Sequence, residues 1–123
     1  MKIQESAENY LEMILILGQK LGQVRSIDIA KELGFSKPSV SIAMKNLREN
    51  GYVELDDHGY LVLTEKGVAI ATRVYEKHNL VTQLLRYIGV SEEIARIDAC
   101  KIEHDLSTET VEKLKEFINK ISN

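Results

Sequence analysis

Cys100, Glu103 and His104 stand at i, i+3 and i+4 in the segment Cys100-Lys101-Ile102-Glu103-His104. On a helix, that spacing projects a thiol, a carboxylate and an imidazole from one face. Together these groups form the ligand set of a borderline-to-soft divalent transition metal. A buried cysteine beside an exposed Glu-His pair would show the same spacing, and three residues alone do not separate the two. The HExxH pattern of zinc peptidases is missing, and no other segment supplies a positioned base with oxyanion donors. Asn9 and Glu12, three residues apart, can present two oxygen donors together; equally, Glu5, Glu8 and Glu12 suit the dipole of a helix start. His78 falls on or beside an apolar stripe, where a lone histidine is usually a satisfied core or interface residue.

A second kind of chemistry lies between Ser26 and Leu63. Ser26 can cap a short helix with Ile27, Ala30 and Leu33 on one side, which Gly34 ends. Ser36-Lys37-Pro38 starts another helix, with Ser36 as N-cap and the proline near the first helical position. At about 100° per residue, Val40, Ala43, Met44 and Leu47 form a buried stripe, while Pro38, Ser41, Ile42 and Lys45 point away from it. Asn50-Gly51 closes this helix. Two short segments, 52–55 and 60–63, then flank Asp56-Asp57-His58-Gly59 as a hairpin with a glycine turn. Two tightly joined helices and a hairpin make a winged helix-turn-helix, a device for gripping duplex DNA. Ser36, Ser39 and Ser41 suit hydrogen bonds to phosphates or base edges, Lys37 and Lys45 suit phosphates or guanine, and Ile42 suits a thymine methyl. His58 at the wing tip is placed near the backbone or minor groove.

The elements that must position these groups follow from apolar spacing. Ser6 can cap a helix to about Lys20, with Tyr10, Leu11, Ile14 and Leu17 on its main apolar face. Thr64-Glu65 opens a long helix to about Ile88, stopped by Gly89, with Val74, Val81 and Leu85 as its stripe. Ser91 caps a helix from Glu92 to about Leu106. Ser107 caps the last one, on which Val111, Leu114, Ile118 and Ile121 recur at spacings of three and four. The expected fold is mostly α with a small β-hairpin wing. Residues 1–72 form a winged helix-turn-helix DNA-binding domain, and residues 73–123 an all-helical metal-binding and dimerisation lobe. The lobe's apolar positions, including Leu80, Leu84 and Leu106, exceed what one small core needs, which implies a homodimer.

Composition narrows the class. The 123 residues are 44% hydrophobic, enough for a real core. A single cysteine fits a reducing compartment. With no long apolar run and no signal peptide, the expectation is a cytoplasmic protein with no membrane partner. Bulk charge does not favour nucleic acid: the net charge is −3, with eight Lys/Arg against ten Asp/Glu in residues 1–72 and eight against nine in 73–123. Phosphate affinity must rest on a few local cations, doubled by dimerisation.

The order of elements resembles the metal-dependent repressors of the diphtheria toxin repressor and manganese transport regulator family. The resemblance is carried by Glu8-Asn9-Tyr10-Leu11-Glu12, Asp28-Ile29-Ala30-Lys31-Glu32-Leu33, Ser39-Val40-Ser41 and Leu61-Val62-Leu63-Thr64. It continues through Lys77-His78-Asn79-Leu80 and the run from Ala99 to Ser107. It implies a homodimeric repressor of metal homeostasis, not an enzyme, that reads a palindromic operator in double-stranded DNA. Divalent metal bound between head and lobe would fix the two heads at DNA-binding spacing. The family's metal positions fall on Asn9, Glu12, His78, Cys100, Glu103 and His104.

Some positions depart from the family pattern. Asn9 stands where manganese-type members resemble an aspartate pattern, Cys100 follows the iron-responsive branch, and Thr82 occupies a second-site carboxylate position. Arg96, four residues before Cys100, would pair with Glu103 or the thiolate. The chain also ends after the lobe, without the further C-terminal domain of longer members. The softness of the thiolate makes Fe²⁺ the expected activator, with Mn²⁺ close behind and Zn²⁺ able to bind. The alternative function is a winged-helix regulator that answers a small molecule or protein partner without metal.

Overall fold

The computed structural model describes residues 5–122. Its elements run α1 (Glu5–Leu21), α2 (Ser26–Leu33), α3 (Lys37–Glu49), β1 (Val53–Leu55), β2 (Leu61–Leu63) and α4 (Glu65–Tyr87). They continue with α5 (Glu92–Ile102), a 3₁₀ turn (Glu103–Asp105) and α6 (Thr108–Ser122). The chain divides into two compact units, with the boundary between Thr72 and Arg73 inside α4. No helix among the described residues is long and apolar enough to cross a membrane.

The first unit is built around one apolar core. Leu11, Ile14 and Leu17 of α1 pack with Ile29 and Ala30 of α2, Val40, Met44 and Leu47 of α3, and Val53 and Leu61 of the hairpin. Fully burying one such side chain contributes about 2 kcal/mol. Ser6, expected as the cap of α1, lies inside the helix, which has already begun by Glu5. Ser26 is likewise the first residue of α2 and not its cap. Arg25 takes the N-cap position, and its backbone N–H donates to Asp28 Oδ2 at 2.9 Å. A carboxylate in the first turn thus does the work expected of a hydroxyl before it.

Gly34 ends α2 in the left-handed region at φ 70°, where an L side chain is strained. Ser36 caps α3, accepting from Ser39 N–H at 3.3 Å. The hairpin is antiparallel, with Val53 opposite Leu63 and Leu55 opposite Leu61. Its outer edge is tied down where Leu61 N–H donates to Val24 O at 2.7 Å. Asp56 Oδ1 accepts from His58 N–H and Tyr60 N–H and so shapes the turn. The Tyr60 N–H, joined by that of His58, holds the Asp56 carboxyl below its ordinary value despite some desolvation.

Thr64 anchors the start of α4: its hydroxyl donates to Gly51 O at 2.7 Å and accepts from Gly67 N–H at 3.1 Å. Gly67 has a different reason for being glycine. A Cβ there would sit 2.1 Å from the Tyr52 carbonyl oxygen, so α4 crosses the hairpin entry on bare backbone.

The second unit comprises the rest of α4, α5, the 3₁₀ turn and α6. Val74 and Val81 of α4, Ala95 and Ala99 of α5 and Ile118 of α6 are buried. Ser107 caps α6, accepting from Thr110 N–H at 3.2 Å. Ser91 occupies the N-cap of α5 without a side-chain cap bond. The helix expected to reach Leu106 stops at Ile102 and tightens into the 3₁₀ turn over Glu103–Asp105. Tighter winding re-aims Glu103 and His104 relative to a continuous α-helix.

Candidate metal centre and nucleic-acid interface

In the second unit, α4 and the α5–3₁₀ junction bring His78, Cys100 and Glu103 together. One ligand atom from each lies within 4.8 Å of the others. The His78 Nδ1–H donates to Glu103 Oε2 at 2.9 Å. Glu103 is fully buried, while Cys100 stays exposed and His78 half-buried. The sulfur of Cys100, then the carboxylate of Glu103, raise the His78 imidazole to about 10 against the opposing effect of burial. A proton therefore holds this donor set together at neutral pH.

The residues fit a divalent cation on three counts. They combine soft and hard donors at short separation. Glu103 is a buried carboxylate, and its Oε1 makes no hydrogen bond among the described residues. That oxygen lies 3.4 Å from His104 Nε2, the partner being near but not aligned. Glu103 thus faces two imidazoles, and among the described residues it makes no ion pair with Arg96, the first of the two roles expected of that side chain. Arg96 sits exposed on α5. Thr82 points its hydroxyl back along α4, donating to His78 O at 2.7 Å, which fixes the backbone beneath that imidazole.

His104 therefore neighbours the cluster through Glu103. Asn9 and Glu12 sit one turn apart on α1 in the first unit, Asn9 half-buried and Glu12 buried. The winding changes after Ile102, so Cys100 ends the α-helical part of this segment while Glu103 and His104 belong to the 3₁₀ turn.

In the first unit, every expected DNA contact is exposed: Ser36, Lys37, Pro38, Ser39, Ser41, Ile42, Lys45 and His58. Two of the hydroxyls are already occupied locally, since Ser36 Oγ donates to Ser39 Oγ at 2.8 Å. Ser26 and Ile27 of α2 join Lys37 and Ser41 of α3 around a cleft of about 170 Å³. Ser26 had no place on this face when read as a cap alone; its position across from α3 is a tertiary fact. The wing tip is acidic around His58, with Glu54, Asp56 and Asp57 all exposed. The exposed cations of α3 are Lys37, Lys45 and Arg48. Arg25 was also missed by sequence reasoning. Its guanidinium stacks 4.5 Å from the centre of the Tyr60 ring, fixing the hairpin against the start of α2.

Comparisons with known proteins cover nearly the whole chain. Residues 2–67 match the family described as iron dependent repressor, N-terminal DNA binding domain. Residues 64–123 match iron dependent repressor, metal binding and dimerisation domain. The transcriptional regulator MntR of Escherichia coli O6:H1 is 36% identical over 117 residues, spanning 95% of this chain and 76% of that protein. Among solved structures, the manganese regulator SloR is similar with a TM-score of 0.80 and 29% identity, over 97% of this chain and 55% of its own. IdeR of T. acidophilum gives 0.81 and 28%, with the same two coverages. The chain therefore spans about half the length of these two solved proteins.

Proposed function

This chain belongs to the iron-dependent repressor family, and from that premise we propose that it is a DNA-binding transcriptional repressor whose operator affinity is set by a divalent metal ion. The family's members are named transcriptional regulators, not enzymes. The observation that carries the proposal is the convergence of His78, Cys100 and Glu103 in a chain whose other unit presents a winged helix with an exposed reading face.

His78, Cys100 and Glu103 would hold the ion, with Asn9, Glu12 and His104 as further proposed donors. When bound, the ion supplies the positive charge that the His78 proton otherwise provides between sulfur and carboxylate. Without either cation, the buried Glu103 carboxylate faces an unmet desolvation cost. Only a ligand with different affinities for two arrangements can shift the balance between them. Metal control therefore requires that the donor set be better formed in the DNA-competent arrangement.

We assign the DNA face to Ser36, Lys37, Pro38, Ser39, Ser41, Ile42, Lys45 and His58, with Ser26 beside them. The functional unit is a homodimer whose two α3 helices read a palindromic operator, and its regulated process is metal-ion homeostasis. The donor set favours Fe²⁺, with Mn²⁺ close behind and Zn²⁺ able to bind, because a thiolate adds softness and Asn9 removes one hard anionic donor.

The test is a DNA-binding titration of the full chain, under anaerobic conditions, against Fe²⁺, Mn²⁺, Co²⁺ and Zn²⁺, with a chelator control. Tight sequence-selective binding that needs the ion and is lost with chelator supports the proposal. Equal DNA affinity in chelator and in every metal would instead favour a winged-helix regulator that senses something else.

A further inference from the structure

Ile42 is the exposed apolar residue of α3 that the core does not explain. The residue is 62% exposed, whereas the helix's other large apolar residues, Val40, Met44 and Leu47, are at 5% or below. It lies in the first two turns of the second helix of the helix-turn-helix, the part of such a helix that meets base edges. Its neighbours on that face are Pro38, Ser41 and Lys45.

The hydrogen-bonding capacity of this face is smaller than its composition suggests. Ser36 Oγ and Ser39 Oγ are bonded to each other, and Ser36 also takes the Ser39 N–H as the helix cap. Pro38 and Ile42 have no side-chain donor or acceptor. Polar readout of bases is thus left mainly to Lys37, Ser41 and Lys45 and to the Ser39 hydroxyl proton that the Ser36 bond does not use. The one major-groove feature that an aliphatic side chain recognises is the C5-methyl group of thymine.

We infer that Ile42 is a specificity-determining residue that reads a thymine methyl in each half-site, so that the operator is recognised in part as a pattern of methyl groups. The inference rests on the DNA-binding reading above and deepens it. A methyl reader cannot tell thymine from 5-methylcytosine by this contact, yet it separates thymine from uracil, which keeps every hydrogen-bonding atom and lacks only the methyl. Losing one buried methyl contact corresponds to about a fourfold loss of affinity.

The experiment begins with selection of bound duplexes from a randomised double-stranded library, using the full chain with Fe²⁺ or Mn²⁺. Each thymine of the selected site is then replaced singly by deoxyuridine, and binding is compared for wild type, Ile42→Ala and Ile42→Val. At one thymine per half-site, deoxyuridine should weaken wild type about fourfold, leave Ile42→Ala unchanged and still weaken Ile42→Val. At the same position a C·G pair should bind less well, with 5-methylcytosine recovering about the same factor. If no thymine is sensitive to loss of its methyl, or if Ile42→Ala stays as sensitive as wild type, the inference is overturned while the repressor reading stands. If no sequence is enriched with any metal, both fall, and the missing enrichment tells the two failures apart.

Discussion

Cys100 and Glu103 place a soft and a hard donor on adjoining turns, and His78 bonds to one and lies beside the other. On the proposed reading, metal choice turns on the sulfur. Replacing Cys100 by glutamate exchanges a soft ligand for a hard one at an exposed position, so the fold should tolerate it. Operator binding by Cys100→Glu should then respond to Mn²⁺ at lower concentration than wild type does, and to Fe²⁺ at higher. A wild type more sensitive to Mn²⁺ than to Fe²⁺ would show that the thiol does not set the preference.

If His78 holds the ion as proposed, proton and metal compete for its imidazole. Because the folded imidazole holds its proton up to about 10, an incoming ion must displace it, and apparent metal affinity should rise about tenfold per pH unit from pH 6 to 8. Calorimetry in two buffers of different ionisation heat checks the proton released. The sign for the metal-free protein is opposite. A pKa raised above 6.5 stabilises the fold fully below that value, and the benefit is lost as pH rises towards about 10. The urea midpoint of metal-free wild type should therefore fall over pH 7–10 more steeply than that of His78→Gln.

At the scale of elements, the junction between hairpin and long helix is closely packed. Thr64 ties Gly51 to the first turn of α4, and Gly67 lets that turn lie against Tyr52. The obstruction to a Cβ at Gly67 is backbone, which cannot rotate away. Gly67→Ala should destabilise by about 3 kcal/mol despite alanine's better helix propensity. Chemical denaturation followed by circular dichroism measures this; a stabilised variant would mean that α4 can shift at no cost. The lesson for sequence reasoning is that a glycine three residues after a helix-start threonine was readable only as a weak spot in a helix. The close approach that requires it belongs to the packing.

For the molecule as a whole, the second unit exposes several large apolar groups. Tyr87, Ile88, Ile94, Ile97 and Phe117 range from 42% to 66% exposed, with Tyr87 and Phe117 ring centres 6.1 Å apart edge to face. Covering them against a second copy removes that surface from water. Sedimentation at micromolar protein should give the mass of two chains, with metal and with chelator alike. A single-chain mass in both conditions would remove the two-fold symmetry on which palindrome reading depends.

Much of this protein was legible in the sequence because its signals are local. Apolar residues at three- and four-residue spacing marked the helices, Ser36 with Pro38 marked the start of the reading helix, and Asp56–Gly59 marked the wing turn. Cys100, Glu103 and His104 had the types and spacing of a metal ligand set without excluding a buried cysteine beside a Glu-His pair, and the resemblance added His78. What tertiary structure decided is where neighbouring elements meet. It showed that Asp28, not the Ser26 hydroxyl, completes the start of α2. It placed Ser26 on the face of α3, ended α5 at Ile102, and set His78 rather than Arg96 against Glu103. Periodicity reports which side of a helix is apolar, but it carries no information about which side chain of another helix stands opposite. That depends on helix rotation and local winding, which the packing of the whole unit fixes together.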